Sequence, residues 1–469
     1  MGIRSTERLT IQDAEILGLE SSAIKGHKAT VLVLDPAEDG APLDIDALRA
    51  SISSRLSSER RARQRVLPMP IGLGRPAWVD YAEFDLADHV LSAARSDEDG
   101  DDAALREHTS RLMAAHLDHD KPMWTIHALR LSDGRTALVL RIHHCIADGI
   151  GTLRFLGGIL WDEEQRPQRR TPEEWTPEPV PSAAALAGAG LADRAAAIAG
   201  GAVGIARSLT RPVGIRDSIG NSARLPRVLM RELRPKATEG TRFDRLIGPR
   251  REVAWLRRPI AELKGIGAAH SNGGHVTVND VLLAGLAGGI RAWLGDETAG
   301  EKMRVKVPVS MHGREADSDA IGNRDSFLFV DLPLDEPDAG KRLLRINAEM
   351  AERKEHQDAE KLYGFFQGIS HLSPLHHAVS KGSMSPRAFT IEASNVPGPR
   401  SPRWVLGRRV SELYSVTEPA ARHALRVSAI SLEGQLAINL CTDPDALEGV
   451  ARLADHIEAA FDELVAAAP

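Results

Sequence analysis

The stretch from Trp124 to Leu160 limits what this chain can fold into more than any other. Two apolar segments, 124–131 and 136–142, flank Ser132-Asp133-Gly134-Arg135, a composition that favours a tight turn. They read as a β-hairpin. In its first strand Trp124, Ile126 and Ala128 share a face that Arg130 interrupts, while Leu129 and Leu131 lie on the other. In its second strand Leu138, Leu140 and Ile142 share a face. Next comes His143-His144-Cys145-Ile146-Ala147-Asp148-Gly149, followed by a helical pattern at Ile150, Leu153, Leu156 and Leu160. A strand that passes through a glycine into an apolar helix is an α/β (α+β) pattern. His144 keeps the parity of Leu138, Leu140 and Ile142, so a persisting strand would aim it at the core side.

The rest of the chain divides around this stretch. At 469 residues it exceeds one ordinary core. Residues 9–20 read as a helix with Thr10 as N-cap, 28–34 as a strand, and 45–56 and 105–117 as helices, while 80–90 carries no clear pattern. From Trp161 to Pro181, Pro, Glu and Arg dominate and read as an exposed connector. Residues 182–206 are Ala/Gly-rich, and 207–251 carry many arginines, among them Arg224, Arg227 and Arg231. The plain reading is a solvated helical linker. The sharper one is a basic surface for anionic lipid headgroups or cofactor phosphates. A second α/β region follows, with strands at 252–256, 304–309, 327–332 and 389–393 and a hairpin of 425–430 with 435–440. Helices are expected at 260–270, 277–294, 340–354 and 447–465, with Thr277 and Asp280 resembling a capping box. Ser394-Asn395-Val396-Pro397-Gly398-Pro399 reads as an abrupt turn. The expected division is 1–160, 161–251 and 252–469.

Composition removes several functions. A net charge of −6 argues against a general nucleic-acid binder. Cys145 and Cys441 cannot form a disulfide framework, and a reducing cytoplasm fits. The N-terminus lacks an apolar signal core, and no apolar run is long enough for a transmembrane helix. A cytoplasmic protein is expected, at most peripheral on the inner face of a membrane or on lipid inclusions.

Three chemistries compete at the histidines. His144 can act as a general base, because neutral imidazole takes protons near neutral pH. Asp148 then shapes its surroundings; a direct contact at i, i+4 needs a helix that Gly149 does not guarantee. Cys145 could be a nucleophile, but successive side chains diverge, and a small buried hydrophobe is the better reading. A metal site of His143, His144 and Asp148 matches known spacings poorly. No Gly-x-Ser-x-Gly elbow, phosphate loop or dinucleotide loop is present. The plainest alternative is that both histidines are satisfied core groups, which the accompanying aspartate and glycine at a strand end disfavour.

His144-Cys145-Ile146-Ala147-Asp148 is similar to the HxxxD core shared by chloramphenicol acetyltransferase, plant BAHD acyltransferases and peptide-synthetase condensation domains. Pro122-Met123-Trp124 resembles a Pro-Leu-Trp motif, with Met123 as a near volume-conserving departure. With Gln12-Asp13-Ala14, Asn279-Asp280, Val307-Pro308-Val309-Ser310, Gly322-Asn323-Arg324 and 394–399, the whole chain resembles the bacterial wax ester synthase/acyl-CoA:diacylglycerol acyltransferase family.

The resemblance implies two chloramphenicol-acetyltransferase-like domains, with mixed sheets flanked by helices and an active-site tunnel at their interface. It implies long-chain acyl-CoA as co-substrate, diacylglycerol or a fatty alcohol as acceptor, and no bound cofactor or metal. By resemblance His144 is the base, without an acyl-enzyme; Asp148 is structural, with Arg324 a candidate partner; His143 and Gly149 support the motif. Asn279 and Asp280 are candidates for oxyanion donor or helix start. Pro122, Trp124, Ser394, Asn395 and Gly398 are candidates for the tunnel. Two other functions fit the same residues: acylation of another alcohol (a polyketide, glycolipid or small alcohol), and a non-catalytic lipid-binding protein.

Overall fold

The computed structural model describes residues 7–69, 74–93, 100–165, 174–182, 184–188, 190–191, 241–271, 275–295, 303–310, 325–362, 382, 385 and 387–468. The N-terminal elements are α1 (Ile11–Gly18), β1 (His27–Leu34), α2 (Ile45–Ser53), β2 (Gln64–Leu67), β3 (Ala77–Asp80), β4 (Val90–Ser92), α3 (Asp102–Ala114), β5 (Trp124–Arg130), β6 (Thr136–His143) and α4 (Gly149–Ile159). Then come β7 (Glu252–Pro259), α5 (Ile260–Ala269), α6 (Val278–Leu294), β8 (Met303–Ser310), β9 (Asp325–Leu332), α7 (Ala339–Glu355), β10 (Ile391–Val396), β11 (Trp404–Val405), β12 (Arg408–Thr417), β13 (Leu425–Leu432), β14 (Gln435–Thr442) and α8 (Val450–Ala466).

Among the described residues these strands form two six-stranded sheets, β11-β12-β1-β6-β5-β4 and β7-β14-β13-β10-β8-β9, and a β2-β3 ribbon. The hairpin read from 124–142 is present, and β6 is buried along its whole length. It is central and covered on both faces, so Ala137 and Val139 are as buried as Leu138 and Leu140. An apolar core forms around each sheet, and the first also takes in Val253, Trp255, Ile430, Leu432, Ala437 and Cys441 of the second sheet.

Strands β11 and β12 lie in the first sheet, although they come from the 252–469 stretch: β12 runs antiparallel to β1, with Lys28 opposite Thr417 and Leu32 opposite Leu413. The chain then returns to the second sheet as β13, and Ser428 Oγ donates to Ser415 O at 2.5 Å across the join. The two sheets are therefore linked by continuous chain close to the motif.

Two expectations need correction. The exposed connector does not begin at Trp161: Trp161 and Asp162 are buried, Arg55 Nη2 pairs with Asp162 at 2.7 Å, and Asp162 exchanges backbone hydrogen bonds with Trp404. Residues 394–396 are not a turn: β10 continues through Val396, with Ser394, Asn395 and Val396 paired in parallel to Ser428, Ala429 and Ile430. Only Pro397-Gly398-Pro399 excludes regular structure, so the strand ends after Val396.

Candidate active site

The motif fills the link between the end of β6 and the start of α4. Three backbone bonds anchor it: His143 N donates to Met123 O at 3.0 Å, His144 N to Gly26 O at 2.9 Å, and Ile146 N to His143 O at 3.0 Å. The loop before β1 and the entry to β5 thus set the height of His144.

His143 is fully buried and uses both ring nitrogens. Its Nδ1 accepts the Cys145 N–H at 3.1 Å, so Nε2 carries the hydrogen and donates to Glu20 Oε1 at 3.0 Å. Glu20 also meets His119 Nε2 at 2.9 Å. Burial alone would raise the Glu20 carboxyl, but the bonds from His119 and His143 outweigh it and bring its pKa to about 2. Glu20 is a permanent carboxylate that fixes the His143 ring, and nothing in its local sequence marks it.

His144 is only half-buried, unlike its neighbours. Desolvation, then the positive charges of Lys28 and Arg426 with His143 and His27, hold its pKa well below the ordinary histidine value. At neutral pH its imidazole is uncharged and able to take a proton.

Asp148 is the N-cap of α4. Its Oδ1 accepts Gly151 N at 2.6 Å, and its carbonyl accepts Thr152 N at 2.9 Å, Thr152 Oγ1 at 2.8 Å and the Lys28 ammonium. Lys28 is buried within the apolar β1, where its charge needs such partners. Cys145 is buried, and desolvation with Asp13 and Glu20 drives its thiol well above the usual range, which disfavours a thiolate. At Gly149 an added Cβ would stand 2.6 Å from Val396 Cγ2, so β10 passes directly over the start of α4.

Asn279 and Asp280 separate into two roles. Asp280 is buried and closes a capping box with Thr277, its Oδ2 accepting Thr277 N at 2.7 Å and Asn347 Nδ2 at 3.0 Å. It builds the helix start. Asn279 is half-buried, and its Oδ1 accepts Asn395 Nδ2 at 2.8 Å, leaving the Asn279 amide hydrogens for other acceptors. Asn395, Asn279 and Gly149 therefore converge through the end of β10. Ser394 is half-buried on the same strand, and Gly398 N donates to Ser431 Oγ at 2.9 Å.

The other two tunnel candidates are Pro122 and Trp124. Both are buried; the Trp124 indole donates to Ala62 O at 2.8 Å, stacks on His89 at 4.7 Å and meets Phe155 of α4 edge-on at 5.7 Å. Trp124 thereby packs against α4. Among the described residues no group of three or more His, Cys, Asp or Glu is placed to hold a metal ion. Arg324, with Gly322 and Asn323, lies outside the described residues, as do Arg224, Arg227 and Arg231. Arg251, at the end of the basic stretch, is buried beside Glu418, whose carboxylate also takes the Lys25 and Gly26 N–H groups.

Comparison with known proteins joins these observations. Residues 9–282 match the wax ester synthase/diacylglycerol acyltransferase catalytic domain, and residues 321–465 match the WS/DGAT C-terminal domain. The chain belongs to the wax ester synthase/diacylglycerol acyltransferase family. The catalytic match takes in the whole histidine motif and Asn279-Asp280. A probable diacylglycerol O-acyltransferase of Mycobacterium tuberculosis is 28% identical over 468 residues, covering 98% of this chain and 96% of that protein. A second from the same species is 26% identical over 470 residues, covering 96% and 97%. Among solved structures, the wax ester synthase/diacylglycerol acyltransferase of Marinobacter aquaeolei superimposes with a TM-score of 0.69 at 21% identity, covering 98% of each chain. The starter condensation domain of rhizomide synthetase, solved with C8-CoA, gives 0.61 at 14% identity, covering 99% of this chain and 95% of that one. The mixed α/β fold expected from the sequence is the fold found.

Proposed function

We propose that this family member is an O-acyltransferase moving a long-chain acyl group from acyl-CoA to the hydroxyl of diacylglycerol, a long-chain alcohol, or both. The observation that carries the chemistry is His144: uncharged, half-buried, and part of the motif that ends at Gly149, where β10 of the second sheet crosses the start of α4. Its imidazole takes the acceptor hydroxyl proton as that oxygen adds to the thioester carbon. The carbonyl electron pair moves onto oxygen, then returns as the carbon–sulfur bond breaks. The thiolate takes the proton back from His144, leaving ester and free CoA. No acyl-enzyme is needed, in keeping with a Cys145 thiol held protonated. Asn279 is the candidate donor to the oxyanion, and Ser394, Asn395 and Gly398 border the acyl path. Both substrates reach His144 through the space between the sheets, and burying their chains supplies about 0.8 kcal/mol per CH₂.

The test is purified protein with palmitoyl-CoA and a panel of acceptors, the lipid products being separated afterwards. Triacylglycerol or wax ester is expected. Acylation only of a small alcohol, glycolipid or polyketide would move the function to that acceptor, and no acylation of any acceptor would favour a lipid-binding role.

Products this apolar must leave into lipid, and a peripheral location follows. No described helix is long and apolar enough to cross a membrane. Exchanging Arg224, Arg227 and Arg231 for glutamate is expected to weaken cosedimentation with anionic liposomes; unchanged cosedimentation would remove the basic stretch from this role.

A further inference from the structure

A row of charge crosses the second sheet. Glu392 on β10 is the register partner of Lys306 on β8 and of Arg426 on β13. Arg426 Nη1 pairs with Glu392 Oε2, and Lys306 Nζ stands 3.8 Å from the same oxygen. These side chains keep only 12% to 14% of their surface exposed. Burial pushes the Glu392 carboxyl up, but Arg426 and Lys306 outweigh it and hold the group below the usual range. In this row two cations share one carboxylate.

The row faces the first sheet. Ser428, Ile430 and Leu432 share the parity of Arg426 on β13. Ser428 bonds to Ser415 of the first sheet, and Ile430 and Leu432 pack in the first core, whereas Leu425, Val427 and Ala429 pack in the second. On β10, Glu392 shares a face with Val396, which lies over Gly149. Arg426 thus lies on the face turned to the first sheet, two positions from Ser428, whose partner Ser415 is two positions from Thr417, the residue opposite Lys28, and its charge bears on His144 as that of Lys28 does.

Such a pair of cations makes His144 a weaker base, and desolvating them is costly. Both penalties are offset when negative charge develops between the cations during the reaction. We propose that Arg426, held in place by Glu392 and opposed by Lys28, stabilises the negative charge that the acyl-transfer transition state places beside His144. The inference rests on His144 being the base. The charge arises as the acceptor oxygen adds and rests on the former carbonyl oxygen until the carbon–sulfur bond breaks; Arg426 gives up no proton. Lys28 also supports the Asp148 carbonyl, so Arg426 and Glu392 are the informative positions.

Steady-state kinetics of the full chain with palmitoyl-CoA between pH 5 and pH 9 tests this, using the acceptor that the parent protein prefers. The groups that set the His144 titration are Lys28 and His27 on β1, His143 on β6 and Arg426 on β13. The parent acid limb is expected below the ordinary histidine pKa of about 6.5. Arg426→Gln is expected to lower kcat by about 10²–10³-fold, with KM within about threefold of the parent. It should also move the acid limb to higher pH. Arg426→Lys should recover part of kcat. Glu392→Gln removes the shared anion and should move the limb to lower pH. A kcat for Arg426→Gln within about fivefold of the parent, or a fall without movement of the limb, would overturn the proposal. If Arg426→Gln does not fold, the Glu392→Gln limb decides alone: lower supports the proposal, and unmoved or higher overturns it. Retained activity in His144→Ala would instead sink the base assignment on which the inference rests.

Discussion

Replacing His144 with alanine is expected to lower kcat by about 10²–10⁴-fold and to leave the thermal midpoint close to that of the parent. The two adjacent histidines are separable by what their rings touch. His143 is fully buried, with one nitrogen taken by Cys145 N–H and the other by Glu20, so it is part of the framework. His144 is tied to the protein through its backbone N–H on Gly26 O, and the residue as a whole is half-buried. Truncating its ring removes the proposed base and leaves the backbone anchor. Cys145→Ala is the companion measurement. Its thiol is buried and held protonated, so the variant should keep turnover. A folded Cys145→Ala protein without activity would revive a thiol nucleophile, and a His144→Ala protein with parental turnover would remove the base. Product formation and thermal denaturation of both variants give the answer.

What was legible in the sequence divides by range. The hairpin, the motif and the helix after it are local, and hydrophobic period with turn composition identified them. The same holds for the Thr277–Asp280 box, where a cap satisfies N–H groups of its own helix. What the motif leans on is not local. Glu20 reaches His143 across 123 positions, and its surroundings look like any helix end. Lys28 opens the strand read at 28–34, but the target of its charge, the Asp148 carbonyl, is fixed only by pairing β1 with β6. The placement of β12 beside β1 was illegible for the same reason: strand pairing across the chain leaves no mark on either strand alone. At Ser394-Asn395-Val396 the prolines and glycine dominated the reading, though their restriction acts only from Pro397 onward. Trp124 was legible as important, but its partner Phe155 on α4, 31 positions on, is fixed only by the packing of helix on sheet.

The second large effect is expected at a residue absent from the motif. Gly26 has φ +70°, a left-handed conformation that glycine adopts freely, and its carbonyl holds the His144 N–H. A Cβ there would collide with His143 Nε2 and stand 2.8 Å from Glu20 Oε1, on the bond that fixes the His143 ring. Gly26→Ala therefore strains the backbone, by roughly 1–3 kcal/mol, and also drives apart the pair that supports the motif. Gly40 separates the two costs, because it has the same φ of +70° with nothing within 4 Å of an added Cβ. Gly40→Ala should lose a little stability and keep its kcat. Gly26→Ala should lower the thermal midpoint further and reduce kcat by about 10²-fold, since displacing a catalytic group by about 1 Å is enough for that. Equal kcat in the two alanine variants would show that the Glu20–His143 contact does not set the position of His144. A deficit confined to Gly26→Ala would show that the base is positioned from the loop before β1, by a glycine and a glutamate outside the histidine motif.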